Sequence, residues 1–340
     1  MVKYGKIAKS EFELSNYRFF MRFIKILAWI LIVLSTLATG YYIYQDRESL
    51  ELTEQTRKEI PGTFIDTPHG VVHYQLAGDK DADLVVLVHG FSVPGYLWEV
   101  TYQFLLQQGY QVLRFDLFGR GFSDRPDEKY DLDLYTDQIN DLLIALEVKR
   151  PIQLLGLSMG GSIVTRFTHR YPEKVNSLIL QDPMVNKIDP NLISPLEIPL
   201  IGEYIFCVYV IPMYVDEHIN EPSKGHHFAH WGDQYKQQLQ YSGFRRAILG
   251  SLRYMTEHPF IQEYQALAEV KMPKLLIWGS NDQTIPISES DILRELMPDM
   301  EFQIIQDGGH VPSMEKPDEF NAVLLKFLQE NPWKPDDNKE

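Results

Sequence analysis

A chain of 340 residues, 44% hydrophobic and 23% charged, has an ordinary globular composition and is long enough for one large α/β domain with an insertion. Its formal net charge of -15 argues against nucleic acid as a partner, because a phosphate backbone would repel it. The single cysteine, Cys207, excludes an internal disulfide and a thiolate metal cluster and leaves the redox compartment open.

In chain order, the first element is ILAWILIVLSTLATGYYIY, from Ile26 to Tyr44, which no charge interrupts. A helix of that length spans roughly 28 Å, close to a bilayer's hydrocarbon core. Arg18, Arg22 and Lys25 lie just before it, and Tyr41, Tyr42 and Tyr44 close its far end, where amphipathic rings favour the interface. The pattern predicts a transmembrane anchor over 26–44, with a signal peptide cleaved after Ala38 as the alternative. Lys3, Lys6, Lys9, Arg18, Arg22 and Lys25 precede the span, whereas Arg47, Arg57 and Lys58 follow it. That bias predicts a single-pass protein with residues 1–25 in the cytoplasm and the bulk of the chain on the other side. The sequence contains no Asn-X-Ser/Thr sequon, in keeping with a bacterial periplasm rather than a glycosylating lumen. Residues 45–60 are strongly charged and read as a stalk, so the folded domain is expected to begin near Pro61.

Val71–Gln75 alternates as an early strand, and Leu84–Val88 is a continuous apolar run, as a strand buried on both faces requires. Val112–Phe115, Ile152–Leu155, Leu178–Leu180, Leu275–Trp278 and Phe302–Ile305 follow, with helical patterns between them at Leu134–Leu146 and Ile163–Tyr171. Such alternation implies a doubly wound, mainly parallel sheet. It divides the domain into a first core part over 61–181, a helical cap over 182–270 and a second core part over 271–330, followed by a charged tail over 331–340. Within the cap, Ile198–Val215 resembles a second span, but Pro199, Glu203 and Pro212 make it a cap helix with an apolar inner face. His226, His227 and His230 include a pair four apart, a spacing that can bind metal. No carboxylate accompanies them as in a zinc protease helix, so they are read as polar cap surface. Trp98 and Trp231 are read as packing.

The stretch LLGLSMGGS, Leu154–Ser162, ends a parallel strand and opens a helix. Ser158 sits on the turn between them, and Gly156 and Gly160 leave room where side chains would clash. This Gly-X-Ser-X-Gly elbow lifts the hydroxyl above the sheet's carboxyl edge and beside a helix N-terminus. A serine hydroxyl is a weak nucleophile until a base takes its proton, and that base needs an orienting carboxylate. His310, after the strand ending at Ile305, offers the base. Asp282, after the strand ending at Trp278, offers the carboxylate, with Asp182 as its rival. The oxyanion of a tetrahedral intermediate needs preformed donors, and elbow geometry supplies the Met159 N–H.

Five motifs in order now carry a resemblance: His89-Gly90-Phe91, Asp116–Asp124 (DLFGRGFSD), Gly156–Gly161, Gly279–Asp282 with Pro286, and Gly309–Pro312. From about Gly62 to Leu328 the chain resembles the α/β-hydrolase superfamily. The resemblance implies the chain order Ser158, Asp282, His310 for a triad. It also implies the Phe91 N–H as second oxyanion donor, His89 as a residue that positions its loop, and DLFGRGFSD as a structural loop near the site. Serine at the elbow separates the chain from the dehalogenases and epoxide hydrolases that carry aspartate there. The core resembles membrane-associated monoacylglycerol lipases and esterases, and also the carbon–carbon bond hydrolases of aromatic degradation. The anchor favours a membrane-held carboxylic ester hydrolase acting on small amphiphilic or lipid-like esters, without cofactor or metal. A carbon–carbon hydrolase and a non-catalytic receptor on the same fold are the alternatives. Nothing in the pattern fixes an oligomeric state.

Overall fold

In the computed structural model, residues 2–220 and 231–334 are described, and they divide into two units, Met1–Arg47 and Glu48–Glu340. The first is one helix, Val2–Gln45, whose part from Asn16 to Gln45 is long and apolar enough to cross a membrane. Most of its side chains there are exposed, Trp29 by 68% and Leu37 by 65%.

The second unit is built on an eight-stranded sheet: β1 (Thr63–Thr67), β2 (Gly70–Ala77), β3 (Leu84–Val88), β4 (Gln111–Phe115), β5 (Ile152–Leu157), β6 (Val175–Gln181), β7 (Lys274–Gly279) and β8 (Glu301–Ile305). Their order is β1-β2-β4-β3-β5-β6-β7-β8. β2 pairs antiparallel with β1 and with β4, and every later pairing is parallel. Every residue of β3 and β5 is buried, so their apolar runs show no alternation, while β8 buries little because it is an edge. β1 is the strand that periodicity does not reveal. Its residues TFIDT are half polar, and pairing with β2 is what makes them a strand.

Strand order reverses around β3, with β4 on one side and β5 on the other. In a parallel sheet such a switch point opens a crevice at the carboxyl ends of the strands. Helices Leu132–Ala145 and Met159–Arg170 pack together on the sheet, as do Glu99–Gln107 and Pro317–Glu330.

The described residues between β6 and β7 hold helices, from Pro190–Glu197 to Ile261–Ala268, and no strand, so a helical cap replaces sheet there. The apolar run Ile198–Val215 opens on a sharp bend. Pro190–Glu197 and Ile201–Val215 meet at 106°, and Phe206, Cys207 and Val208 are buried within the unit. Trp98 and Trp231 are both buried in packing. The histidines at 226, 227 and 230 lie outside the described residues.

Two boundaries differ from the sequence reading. The expected stalk is part of the globular unit from Glu48 onward. Glu48 Oε2 accepts from the Gly243 N–H at 2.8 Å, and Oε1 accepts from the Arg245 N–H at 2.7 Å. The Ser49 and Leu50 amides both donate to Gln240 O at 2.8 Å, and Arg57 pairs with Asp124. Charge suggested solvation, but Glu48 answers the open amides at the start of helix Phe244–Glu257. At the other end, Asn331 O accepts from Gln153 and Asn176, and the Trp333 N–H donates to Asp83, so the tail is held as far as Trp333.

Candidate active site

The elbow is strained as its sequence requires. Ser158 has φ 56° and ψ -122°, a region that non-glycine residues seldom occupy. It is held there from three sides. Its N–H donates to Gln181 O at 3.0 Å, and its carbonyl accepts from Gly161 at 2.9 Å and Met184 at 3.1 Å. A Cβ on Gly156 would lie 2.4 Å from Gly160 O, and one on Gly160 would lie 2.4 Å from His89 O. Those two glycines let strand, helix and the loop after β3 close on one point. Gly90 completes the approach, since a Cβ there would stand 3.2 Å from Ser158 Cβ.

Met159 is the first residue of its helix, and leading helix amides have no acceptor within the helix. The Phe91 segment is fixed from its carbonyl side by Arg120, whose Nε donates at 2.8 Å. Arg120 is fully buried, and its other nitrogens reach Phe118 O, the Tyr135 hydroxyl and Ser251 Oγ on the cap helix Phe244–Glu257. This guanidinium therefore ties the Phe91 loop, the Asp116–Asp124 loop and the cap together. Nothing in DLFGRGFSD showed that its arginine points inward.

His89 serves the same loop. Its Nε2 accepts from the Leu117 N–H at 2.9 Å, so Nδ1 carries the proton and donates to Gly90 O at 2.9 Å. Burial lowers its pKa to about 4 against the pull of Asp116, which leaves a neutral ring with both nitrogens occupied. His73 is the opposite case, with acceptors on both nitrogens: Asp116 Oδ2 at 2.8 Å and Pro61 O at 2.9 Å. Burial opposes its charge, but Asp116 more than offsets this and raises the pKa. Burial likewise disfavours the Asp116 carboxylate, and His73 with the Phe122 N–H brings it down to about 2. A cavity of about 270 Å³ lies beside this pair, walled by Tyr96, Phe122 and Gln238 among others, and Ser158 is not among its lining residues.

At the far strand ends, His310 Nδ1 is 2.8 Å from Asp282 Oδ2. A carboxylate accepts, so this bond places a proton on Nδ1. Asp282 is fixed in turn by the amides of Thr284 at 2.7 Å and Ile285 at 2.9 Å on Oδ1. The rival Asp182 is fully buried at the end of β6. Its Oδ1 accepts from the Gly279 N–H at 2.8 Å, and its Oδ2 has no donor. Burial pushes its carboxyl well above the usual range, and the neighbouring Asp282 adds to the rise. Burial thus favours the neutral form of Asp182.

Glu315 is a residue that sequence reasoning passed over. Its Oε2 accepts from the Gly309 N–H at 2.7 Å and its Oε1 from the Val311 N–H at 3.1 Å, so one carboxylate holds both amides flanking His310. The signal was the spacing of His310 and Glu315 in GHVPSME, five residues apart across the start of a short helix.

Comparison with known proteins gives this arrangement its family. The model of the family described as alpha/beta hydrolase fold matches residues 83–317. The chain belongs to that family, and hydrolase is the class its fold defines. An uncharacterized protein of Mycobacterium tuberculosis is 24% identical over 276 residues, covering 77% of this chain and 80% of that one. The human protein ABHD8 is 27% identical over 266 residues. That match covers 75% of this chain and 56% of ABHD8, so the chain spans about half of that relative's length. Among solved structures, a thermophilic esterase from Thermogutta terrifontis superposes with TM-score 0.64 at 22% identity, covering 80% of this chain and 99% of that one. A meta-cleavage product hydrolase from Pseudomonas fluorescens superposes with TM-score 0.63 at 23% identity, covering 79% and 98%. These likenesses show the fold.

Proposed function

We propose that the protein is a membrane-anchored serine hydrolase that cleaves carboxylic esters, amphiphilic or lipid-like ones, through an acyl-enzyme. The observation that carries this reading is the Asp282–His310 hydrogen bond at the sheet edge that also holds the strained Ser158 elbow. His310 Nε2 takes the Ser158 proton as Oγ attacks the ester carbonyl, and the amides of Met159 and Phe91 receive the oxyanion. Collapse expels the alcohol, which takes the proton from His310. Water then attacks the acyl-enzyme by the same route and frees Ser158. Asp282 keeps the ring in the tautomer with Nδ1 protonated. The apolar helix Asn16–Gln45 holds the domain at a bilayer, where amphiphilic esters concentrate, with the catalytic unit on the non-cytoplasmic side.

The test is labelling of the whole chain with a fluorophosphonate, alongside turnover of p-nitrophenyl esters. The native chain should label at Ser158, while Ser158→Ala should not label and should lose most turnover. A folded Ser158→Ala chain that hydrolyses esters normally would show the nucleophile to be elsewhere. Labelling without turnover of any ester would favour a carbon–carbon hydrolase or a receptor.

A further inference from the structure

Among the described residues, the globular unit leaves nine large apolar side chains exposed. Three are scattered: Leu50, Ile144 and Ile304. The other six fall between residues 192 and 213 of the cap: Leu192, Ile198, Leu200, Ile201, Tyr209 and Met213. Leu200 is 84% exposed and Leu192 77%. The helices that carry them are not loose. Ile193, Leu196, Phe206 and Val208 on the same segment are buried, so one face is seated and the other is left over.

The tip of this face is built and braced. Leu200 has φ 67° and ψ -42°, a positive-φ conformation that residues other than glycine seldom adopt. Its N–H donates to Glu203 Oε2 at 2.6 Å, and Glu203 Oε1 pairs with Arg253 Nη1 at 2.8 Å. Arg253 Nε returns to Leu196 O at 2.8 Å, closing a ring of contacts around the bend. Strain is thus held in place at Leu200, the most exposed leucine among the described residues.

Glu48 follows three residues after Gln45, where the apolar helix ends, and three extended residues reach at most about 11 Å. Glu48 is bound to the Arg245 N–H and Nε, and Arg245 Nη1 reaches Cys207 Sγ at 2.7 Å. Cys207 lies on the same helical run as Ile201, Tyr209 and Met213. The residue by which the globular unit leaves the apolar helix is thus fastened to the cap segment that carries the exposed face.

We propose that this apolar tip, centred on Leu200, inserts into the headgroup–acyl boundary of the bilayer that holds the N-terminal helix. The partner is a lipid surface, entered by apolar area rather than by charge, since a chain of net charge -15 gains nothing from anionic headgroups. The inference rests on the membrane-anchor reading of Asn16–Gln45 and is independent of the chemistry at Ser158.

The test places an environment-sensitive thiol label at one position at a time in the full chain, reconstituted into phosphatidylcholine vesicles with or without brominated acyl chains. Leu200→Cys is the probe, Leu31→Cys reports the helix, and Ile144→Cys reports a core surface. The unsubstituted chain, whose Cys207 is buried, sets the background. Bromine should quench Leu200→Cys and Leu31→Cys about twofold or more and leave Ile144→Cys unchanged. The effect should survive about 1 M salt, which screens charge but not apolar contact. Quenching at Leu31→Cys without quenching at Leu200→Cys would overturn the docking and leave the anchor standing. Loss of both would overturn both. Equal quenching at Ile144→Cys would overturn the docking in favour of general adsorption. A Leu200→Cys label that is shielded but unquenched, with copies cross-linking to each other, would replace lipid by a second copy of the chain.

Discussion

Two aspartates at neighbouring strand ends differ in the partners they receive. Asp282 receives His310 and two backbone amides, whereas Asp182 receives one amide and keeps an oxygen without a donor. Asp282→Asn should therefore lower turnover on the order of 10³–10⁴-fold, because an amide in that place favours the wrong histidine tautomer. Asp182→Asn should cost no more than a few-fold and should stabilise the chain at neutral pH. With its pKa raised by burial, Asp182 favours folding less once the unfolded chain ionises above about pH 4, and asparagine removes that penalty. Parallel measurements of ester turnover and urea unfolding check both, and the reverse ranking would move the acid to Asp182. His89 gives a second pH signature with the other sign. Its folded pKa is depressed to about 4, so its contribution is complete above pH 6.5 and is lost as pH falls toward 4. At pH 5 the loss is about 2 kcal/mol. His89→Gln should be less stable at pH 7, yet its stability should change less between pH 7 and pH 5 than that of the native chain.

At the scale of elements, the strands were legible where physics makes them uniform. β3 and β5 are buried on both faces and therefore apolar throughout. β1 was not legible, because an edge strand of mixed polarity is defined by its partner. The stalk was misread for a related reason. Its charges signal solvent until the amides of Gly243 and Arg245, almost 200 residues away in sequence, are brought to Glu48. The elbow was legible because its glycines answer a local clash, and Glu315 left a local signal in its spacing from His310, whereas the buried Arg120 acts through contacts to Phe91 and Ser251 that no local pattern encodes. Arg120 is the sharper test of how elements depend on one another. It is one buried cation shared by the Phe91 loop, the Asp116–Asp124 loop and the cap. Arg120→Lys keeps the charge but not the fork, so several of these contacts lapse together. Destabilisation of about 3 kcal/mol is expected, with turnover falling more than KM changes, because the Phe91 amide loses its support. A fall confined to stability, with turnover per folded molecule unchanged, would separate Arg120 from any role in turnover through the Phe91 loop.

For the whole molecule, the decisive asymmetry is the charge on either side of the apolar helix. Lys3, Lys6, Lys9, Arg18, Arg22 and Lys25 stand before it, against Arg47, Arg57 and Lys58 after it. Of the latter, Arg57 pairs with Asp124 and Lys58 with Glu54, so both are matched by acids of the globular unit. Basic residues close to a span resist translocation, and folded acidic domains do not. The expected orientation is therefore N-terminus inside, with Glu48–Glu340 outside. A phosphatase reporter fused after Glu340 should be active only in that orientation, and a fluorescent protein that matures only in the cytoplasm should stay dark there. Replacing Arg18, Arg22 and Lys25 with glutamine leaves no basic residue within about fifteen positions before Ile26. That triple variant should move a measurable share of the chains to the opposite orientation. A bright cytoplasmic reporter on the unsubstituted chain would reverse the topology and would place the Ser158 elbow among cytoplasmic rather than exported esters.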